Sequence, residues 1–274
     1  MTTELGSNPS SVVIGDIDGD GKPDLSVVNQ GANTLSVLRN TSTSGSITTG
    51  SFAAKVDFAT GTTPQIVAIG DLDGDGKLDL AVGNFGANTV SVLRNTSTSG
   101  SISVSSFATQ VTFATSTQPI AVAIGDLDGD GKLDLATANY GANTISVFRN
   151  ISSSGSITSG SFSSKIDFTT GTNPYYITIG DLDGDGKLDM AVPNYGTNTV
   201  SVLLNTSTSG SITTGSFASK VDFTVGSGPN AIAISDLDGD GKLDLAVTRG
   251  SYTTVAILRN TSTIGNIRTP DFIS

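Results

Sequence analysis

"GDLDGDGKLDLAV", residues Gly70–Val82, sets four aspartates within nine residues, spaced by glycines and flanked by aliphatic side chains. Carboxylates about 5 Å apart repel one another by roughly 0.8 kcal/mol per pair in bulk water, and by more near a protein surface. A loop of this composition needs a positive partner. It also recurs: the aspartate loops open at Asp16, Asp71, Asp126, Asp181 and Asp236, a constant step of 55 residues. Prolines (Pro9, Pro64, Pro119, Pro174, Pro229) and asparagines (Asn40, Asn95, Asn150, Asn205, Asn260) keep the same step. The chain is five tandem copies of one unit, and the fold has to be read as that of a repeat.

Within the second copy, "QIVAIGD" alternates and runs into the aspartate loop, and "LDLAVGN" follows it. A "GAN" turn leads to "TVSVLRN", a polar "TSTSGS" loop intervenes, and "SFATQVTFA" ends the unit. Period-two alternation bounded by Gly, Asn, Pro and Ser predicts four short strands per repeat, and no helical period competes with it. The first strand carries Val or Ile at alternate positions in every copy, Val12 and Ile14, Val67 and Ile69, Val122 and Ile124, Ile177 and Ile179, Ile232 and Ile234. Mostly small residues lie between them, so large side chains on one unit can interlock with small ones on the next.

Repeated four-stranded units form either a linear stack or a propeller. With 274 residues, the end of the chain, "TPDFIS", falls in the repeat cycle just before its start, "MTTELG". The expectation is an all-β chain: a single domain over residues 1–274, a five-bladed β-propeller of four-stranded antiparallel blades. It is closed by pairing of the N- and C-terminal segments and monomeric.

Composition narrows the chemistry. Cysteine and histidine are both absent, which removes thiolate sites, the commonest general base and the commonest transition-metal ligand, and leaves hard oxygen donors. The formal charge of -11 disfavours nucleic acid and anionic membranes as partners, and no apolar run approaches the ~20 residues of a membrane span. Twenty of the 25 acidic residues lie in the five loops. One divalent ion per loop would move the formal charge from -11 to -1.

In D-x-D-G-D-G-K-x-D, side chains at positions 1, 3, 5 and 9 and the carbonyl at position 7 can converge on one cation if the loop curls. Glycines at positions 4 and 6 permit the positive φ that such a curl needs. Oxygen-only donors in a flexible loop favour Ca²⁺ over Mg²⁺. An EF-hand is excluded, because position 12 is Val27, Val82, Thr137, Val192 or Val247 rather than Glu. The competing reading is a set of Asp-Gly turns that bind nothing.

"AIGDLDGDGKLDLAVGNFGANTVSVLRN" resembles the FG-GAP or VCBS repeat of integrin α-subunit propellers, some lectins and many bacterial surface proteins, and the likeness extends over all five units. The resemblance implies calcium on the hairpin between the first two strands of each blade. It implies the ligands Asp16, Asp18, Asp20, Lys22 (carbonyl) and Asp24 in the first copy. The equivalents are Asp71, Asp73, Asp75, Lys77, Asp79; Asp126, Asp128, Asp130, Lys132, Asp134; Asp181, Asp183, Asp185, Lys187, Asp189; and Asp236, Asp238, Asp240, Lys242, Asp244. Members of the family more often have seven blades, so five repeats depart from its usual ring.

The expected function is a calcium-binding, extracellular, multivalent binding module of lectin or adhesin type. The alternatives are a purely structural or engineered repeat scaffold and, third, a lyase or hydrolase, disfavoured because an active site is asymmetric and these copies are not. Strand alternation puts the calcium loops on one face and the proline loops and "GAN" turns on the other. Sequence varies most on that second face, where Phe85, Tyr140, Tyr175, Tyr176 and Tyr195 cluster beside Asn and Thr, suited to a carbohydrate or protein ligand. Drift in unconstrained loops explains the same variation. The Asn-Thr-Ser and Asn-Ile-Ser tripeptides match a glycosylation sequon but fit loop chemistry as well, and Lys55, Lys165 and Lys220 read as edge charges.

Overall fold

The computed structural model describes residues 4–250, 253–268 and 271–273. It contains five four-stranded antiparallel sheets, each drawn from one repeat in chain order, and no helix among the described residues. The first sheet is β1 (Pro9–Gly15), β2 (Asp24–Asn29), β3 (Thr34–Leu38) and β4 (Val56–Ala59), and the second is β5 (Pro64–Gly70), β6 (Asp79–Asn84), β7 (Thr89–Leu93) and β8 (Val111–Ala114). The third comprises β9 (Pro119–Gly125), β10 (Asp134–Asn139), β11 (Thr144–Phe148) and β12 (Ile166–Thr169). The fourth comprises β13 (Thr178–Gly180), β14 (Asp189–Asn194), β15 (Thr199–Leu203) and β16 (Val221–Thr224). The fifth is β17 (Pro229–Ser235), β18 (Asp244–Arg249), β19 (Val255–Asn260) and β20 (Phe272–Ile273).

The chain divides into two compact units, Met1–Gln118 with Ile151–Phe162, and Pro119–Asn150 with Ser163–Ser274. Each builds its core from side chains of successive repeats. In the first, Leu35 and Val37 of β3 pack with Val67 of β5 and Leu80 and Val82 of β6. In the second, Ile145 and Val147 of β11 pack with Ile177 and Met190, and Val200 and Val202 of β15 pack with Ile232 and Leu245. The interlock expected from alternate Val and Ile positions is therefore present within each unit. Edge-to-face phenylalanine pairs add to it, Phe58 with Phe107, Phe113 with Phe162, Phe168 with Phe217 and Phe223 with Phe272, at centroid separations of 4.9 to 5.1 Å. Each contributes about 0.5–1.5 kcal/mol beyond its buried area.

Two departures from the sequence expectation have physical causes. The fourth strand is shorter than "SFATQVTFA", because only Val111–Ala114 ladders with β7, while Phe107 makes an isolated bridge to Asn95. In the fourth repeat β13 keeps only three residues where other first strands have seven. Pro193 occupies the facing strand there and cannot donate an amide hydrogen, so the ladder starts only at Thr178 opposite Ala191. The segment carrying Tyr175 and Tyr176 thereby leaves the regular ladder and is held by an isolated Pro174–Asn194 bridge, through Tyr175 N–H to Pro193 O and Tyr195 N–H to Asn173 O, both 2.9 Å.

The expected pairing of the terminal segments falls largely on residues 1–3, 269–270 and 274, outside the described residues. Among those described, β20 completes the fifth sheet beside β19, and Glu4 and Leu5 are not in a strand.

Candidate metal centres

The loop from Asp71 to Asp79 joins β5 to β6 and curls on its own amides. Asp71 accepts the Asp75 N–H at Oδ1 (3.1 Å) and the Gly76 N–H at Oδ2 (2.9 Å). Asp73 Oδ1 accepts the Asp75 N–H as well (3.2 Å), and Asp75 Oδ1 accepts the Lys77 N–H (2.9 Å). Gly74 and Gly76 have φ of 68° and 86°, and an added Cβ would meet nothing within 4 Å, so backbone conformation and not space requires glycine there. Asp79 ties the hairpin down, accepting Leu72 N–H at Oδ2 (3.0 Å) and Asn95 N–H at Oδ1 (2.7 Å).

In all five repeats the carboxylates at positions 1, 3 and 9 offer oxygens that lie within 4.8 Å of one another: Asp16, Asp18 and Asp24; Asp71, Asp73 and Asp79; Asp126, Asp128 and Asp134; Asp181, Asp183 and Asp189; Asp236, Asp238 and Asp244. Asp73 and Asp79 are buried. Burial pushes Asp79, Asp134 and Asp189 up to about 7, outweighing the backbone amides that hold each carboxylate down, and raises Asp24 in the same direction. Without a cation the second, third and fourth clusters hold a proton into the neutral range.

Position 5 behaves differently from the expectation that it joins the same cluster. Asp20, Asp75, Asp130, Asp185 and Asp240 turn one oxygen to the lysine amide at position 7, of Lys22, Lys77, Lys132, Lys187 and Lys242. Asp20, Asp130 and Asp240 give the other to an arginine. Arg39 spans Asp18 (Nε, 2.6 Å) and Asp20 (Nη2, 2.9 Å), and Arg149 and Arg259 do the same for Asp128 with Asp130 and Asp238 with Asp240. Arg94 instead donates to Gly155 O, standing 3.6 Å from Asp73 Oδ2. That oxygen is buried with no hydrogen-bond partner. An orphaned anionic oxygen among two further carboxylates fits a hard divalent cation, and the all-oxygen donor set fits calcium.

These arginines went unremarked in the sequence reading. The signal was their shared place before the 55-step asparagine, broken once by Leu204. Asp183 and Asp185 therefore have no arginine, and only Lys187 Nζ approaches, 4.0 Å from Asp185. The fourth site should fill first in a calcium titration. Leu204→Arg should weaken that site about tenfold, the effect of one added positive charge about 6 Å from a divalent ion in a high-dielectric setting. Isothermal titration checks this, and an unchanged first binding step would refute it.

The asparagines are structural. Asn95 is fully buried, donates from Nδ2 to Leu78 O (3.0 Å) and Ile17 O (2.7 Å), and accepts Ser97 N–H at Oδ1 (2.9 Å). It locks its own hairpin to the aspartate loop of the preceding repeat. Ser97 Oγ, Ser99 Oγ and the Gly100 N–H reach the same loop, at Ile17 O, Gly19 O and Asp18 O. Lys55, Lys165 and Lys220 pair with Asp57, Asp167 and Asp222 on the fourth strands, exposed pairs of small energetic weight.

Of the aromatic candidates, three come together. Tyr175 lies 6.1 Å from Tyr140, edge to face, and 5.8 Å from Tyr195, tilted, measured between ring centroids. Tyr175 and Tyr195 are exposed, and Asn173 Nδ2 donates to Tyr140 O at the same place. Tyr176 is instead half-buried against the cores of the third, fourth and fifth repeats. Phe85 is half-buried in the other compact unit.

Repeated four-stranded sheets with an aspartate-rich hairpin between the first two strands define a class, the β-propeller proteins built from tandem aspartate-loop repeats. The FG-GAP-like repeat model matches residues 16–82, 71–137 and 126–192, and the FG-GAP repeat model matches residues 228–261. The chain belongs to the FG-GAP repeat family. A search of curated protein sequences found no match. Solved structures share the fold at low identity. Virginiamycin B lyase from Staphylococcus aureus aligns with a TM-score of 0.54 at 12% identity, over 93% of this chain and 71% of that one. A protein of unknown function from Desulfotomaculum acetoxidans aligns at 0.61 and 17%, over 93% and 67%. An Agrocybe aegerita lectin that recognises non-reducing terminal N-acetylglucosamine aligns at 0.56 and 18%, over 96% and 64%.

Proposed function

We propose that this chain is a calcium-binding β-propeller module that binds carbohydrate, working at the cell surface or in secreted form. The observation that carries the metal is the convergence of three carboxylates in each repeat, together with the buried Asp73 oxygen of the second repeat that accepts no hydrogen bond. Extracellular calcium modules have dissociation constants on the order of 10⁻⁴–10⁻³ M, which fits calcium levels outside cells and not those of cytosol. The carbohydrate surface is Tyr140, Tyr175 and Tyr195, where apolar ring faces stand beside the amide of Asn173. Flat aromatic faces cover the C–H surface of a pyranose while amides and hydroxyls pair with its hydroxyl groups. A lectin among the structures of like fold is in keeping with this. The copies' near-equivalence and the commitment of most carboxylates to loops speak against an enzyme.

The test is a glycan array probed with calcium and again with chelator, alongside Tyr175→Ala. Binding lost in Tyr175→Ala, with the melting curve unchanged, supports the tyrosine surface. Glycan binding indifferent to Tyr175 would sink it, and no glycan binding at all would favour the scaffold reading.

A further inference from the structure

The arginine that precedes the repeated asparagine takes two arrangements within one chain. Arg39, Arg94 and Arg149 hold the same place, 55 residues apart. Arg39 lies against its own aspartate loop, with Nε on Asp18 Oδ2 (2.6 Å) and Nη2 on Asp20 Oδ2 (2.9 Å), and Arg149 repeats both distances on Asp128 and Asp130. Arg94 stands back, 3.6 and 3.7 Å from Oδ2 of Asp73 and Asp75, and donates instead from Nη1 to Gly155 O (3.0 Å). Gly155 belongs to the polar loop of the following repeat. That loop is itself seated on the Asp71–Asp79 loop, through Gly155 N–H to Asp73 O (3.1 Å) and Ser154 Oγ to Gly74 O (2.9 Å). Arg94 thus clasps one repeat to the next, and the oxygen it stands back from, Asp73 Oδ2, is the buried one with no hydrogen-bond partner.

The junctions beside Arg39 and Arg149 are built for the same clasp. Gly100 N–H donates to Asp18 O (3.2 Å) and Gly210 N–H to Asp128 O (3.1 Å), the counterparts of the Gly155 bond. The carbonyls of Gly100 and Gly210 accept no hydrogen bond among the described residues. The guanidinium is already alongside: a Cβ on Gly100 would stand 3.5 Å from Arg39 Nη2, and one on Gly210 would stand 3.4 Å from Arg149 Nη2. The exchange therefore asks for rotation about the arginine's own side-chain bonds.

Charge decides between the two arrangements. Asp18 and Asp20 hold Arg39 by charge-assisted hydrogen bonds, the strong kind. Asp18 also belongs to the cluster in which Asp16, Asp18 and Asp24 offer oxygens within 4.8 Å of one another. With a divalent ion among those oxygens, the guanidinium loses the negative charge that held it and meets repulsion at short range. An acceptor without a partner, Gly100 O, lies beside it.

We propose that Arg39 and Arg149 are positioning residues released by calcium: when an ion fills their loop, each gives up its two aspartates and donates to the carbonyl of Gly100 or Gly210, tying down the next repeat. The proposal rests on the calcium reading above and deepens it, since ion binding in one repeat is passed to the junction with the next. The junction that Arg94 clasps does not wait for the ion, and the one beside Leu204 has no arginine to clasp it.

Amide hydrogen exchange of the full chain, followed by NMR in saturating calcium and in chelator, tests it, with calorimetry on the same samples recording whether calcium binds. Leucine is the substitution, because Leu204 occupies the same place in the fourth repeat. In calcium, Arg39→Leu should speed exchange of the Gly100 N–H about tenfold, the loss of one charged hydrogen bond, and leave the Gly210 N–H unchanged. An arginine that only neutralises its loop predicts the reverse, slower exchange at Gly100, because calcium binds more tightly once a competing charge is gone. Arg94→Leu should speed the Gly155 N–H by the same factor in chelator as well as in calcium. If Arg39→Leu loses the wild-type circular dichroism, the wild type decides: the Nε–H protons of Arg39 and Arg149, parted from their carboxylates, should exchange with water about tenfold faster once calcium is added. Calcium binding without these changes, or slower exchange at Gly100 in Arg39→Leu, overturns the clasp and leaves the metal reading standing. No calcium binding removes both.

Discussion

Calcium added to the metal-free protein is expected to raise its melting temperature by tens of degrees. An ion that binds the folded chain only stabilises it by RT ln(1 + [Ca²⁺]/Kd), about 2.7 kcal/mol per site at a hundredfold excess over Kd, and five such loops are present. Protons compete with the ion. The Asp79, Asp134 and Asp189 carboxyls sit near 7 in the metal-free fold, above the ordinary 3.8, because burial disfavours their charged form. The folded state thus binds more protons than the unfolded chain between those values. Metal-free stability should fall as pH rises from about 4 to about 7, while the calcium-loaded protein should gain stability over the same window as carboxylates are freed for the ion. Calorimetry at pH 5 and pH 8, with calcium and with chelator, reads both slopes. Parallel slopes would remove the buried carboxylates from the metal site, and a melting curve indifferent to calcium would leave the aspartate clusters as turns.

The second large effect concerns Asp79 itself. Asp79→Asn keeps the size but supplies only one acceptor atom, so an amide NH₂ must face either Leu72 N–H or Asn95 N–H, donor against donor in a buried site. An unsatisfied buried donor costs about 1–3 kcal/mol, and here two are opposed, so we expect a loss of about 3–4 kcal/mol in chelator as well as the loss of one calcium. Asp75→Asn, at a position tied only to the Lys77 amide and a distant arginine, should cost under about 1 kcal/mol in chelator. Urea unfolding of the two variants separates them, and equal losses would contradict the division of labour within the loop.

The strand order, the repeat and the carboxylate clusters could be read from residues alone, because period-two alternation and a 55-residue step are local or self-referential signals. What escaped depends on contacts between segments distant in the chain. Tyr176 looks like Tyr175 in sequence, yet the proline at 193 frees the one and core packing takes the other. Asp75 matches the ligand pattern as well as Asp73 does, but its partner in other repeats is an arginine 19 residues away. Asn95 carries a sequon and is fully buried, since its amide serves a loop 78 residues earlier. Terminal pairing was inferred from the repeat phase, and the residues that would make it lie largely outside those described.

The reach of Ser97, Ser99 and Gly100 back to residues 17–19 has a consequence for how the protein is made. The bonds from Ser97 and Ser99 close over 80 residues of chain, so an aspartate hairpin that emerges from a ribosome stays bare until the polar loop of the next repeat has followed it. Synthesis at about 5–20 residues per second makes that wait several seconds, long against hairpin formation in microseconds. Each repeat is thus a template on which its successor docks, and maturation advances from the N-terminus in steps of one repeat. A ribosome stalled after residue 90 would hold the first hairpin formed but uncapped, open to protease at Gly19 and Gly21, and one stalled far enough on to free residue 106 would not.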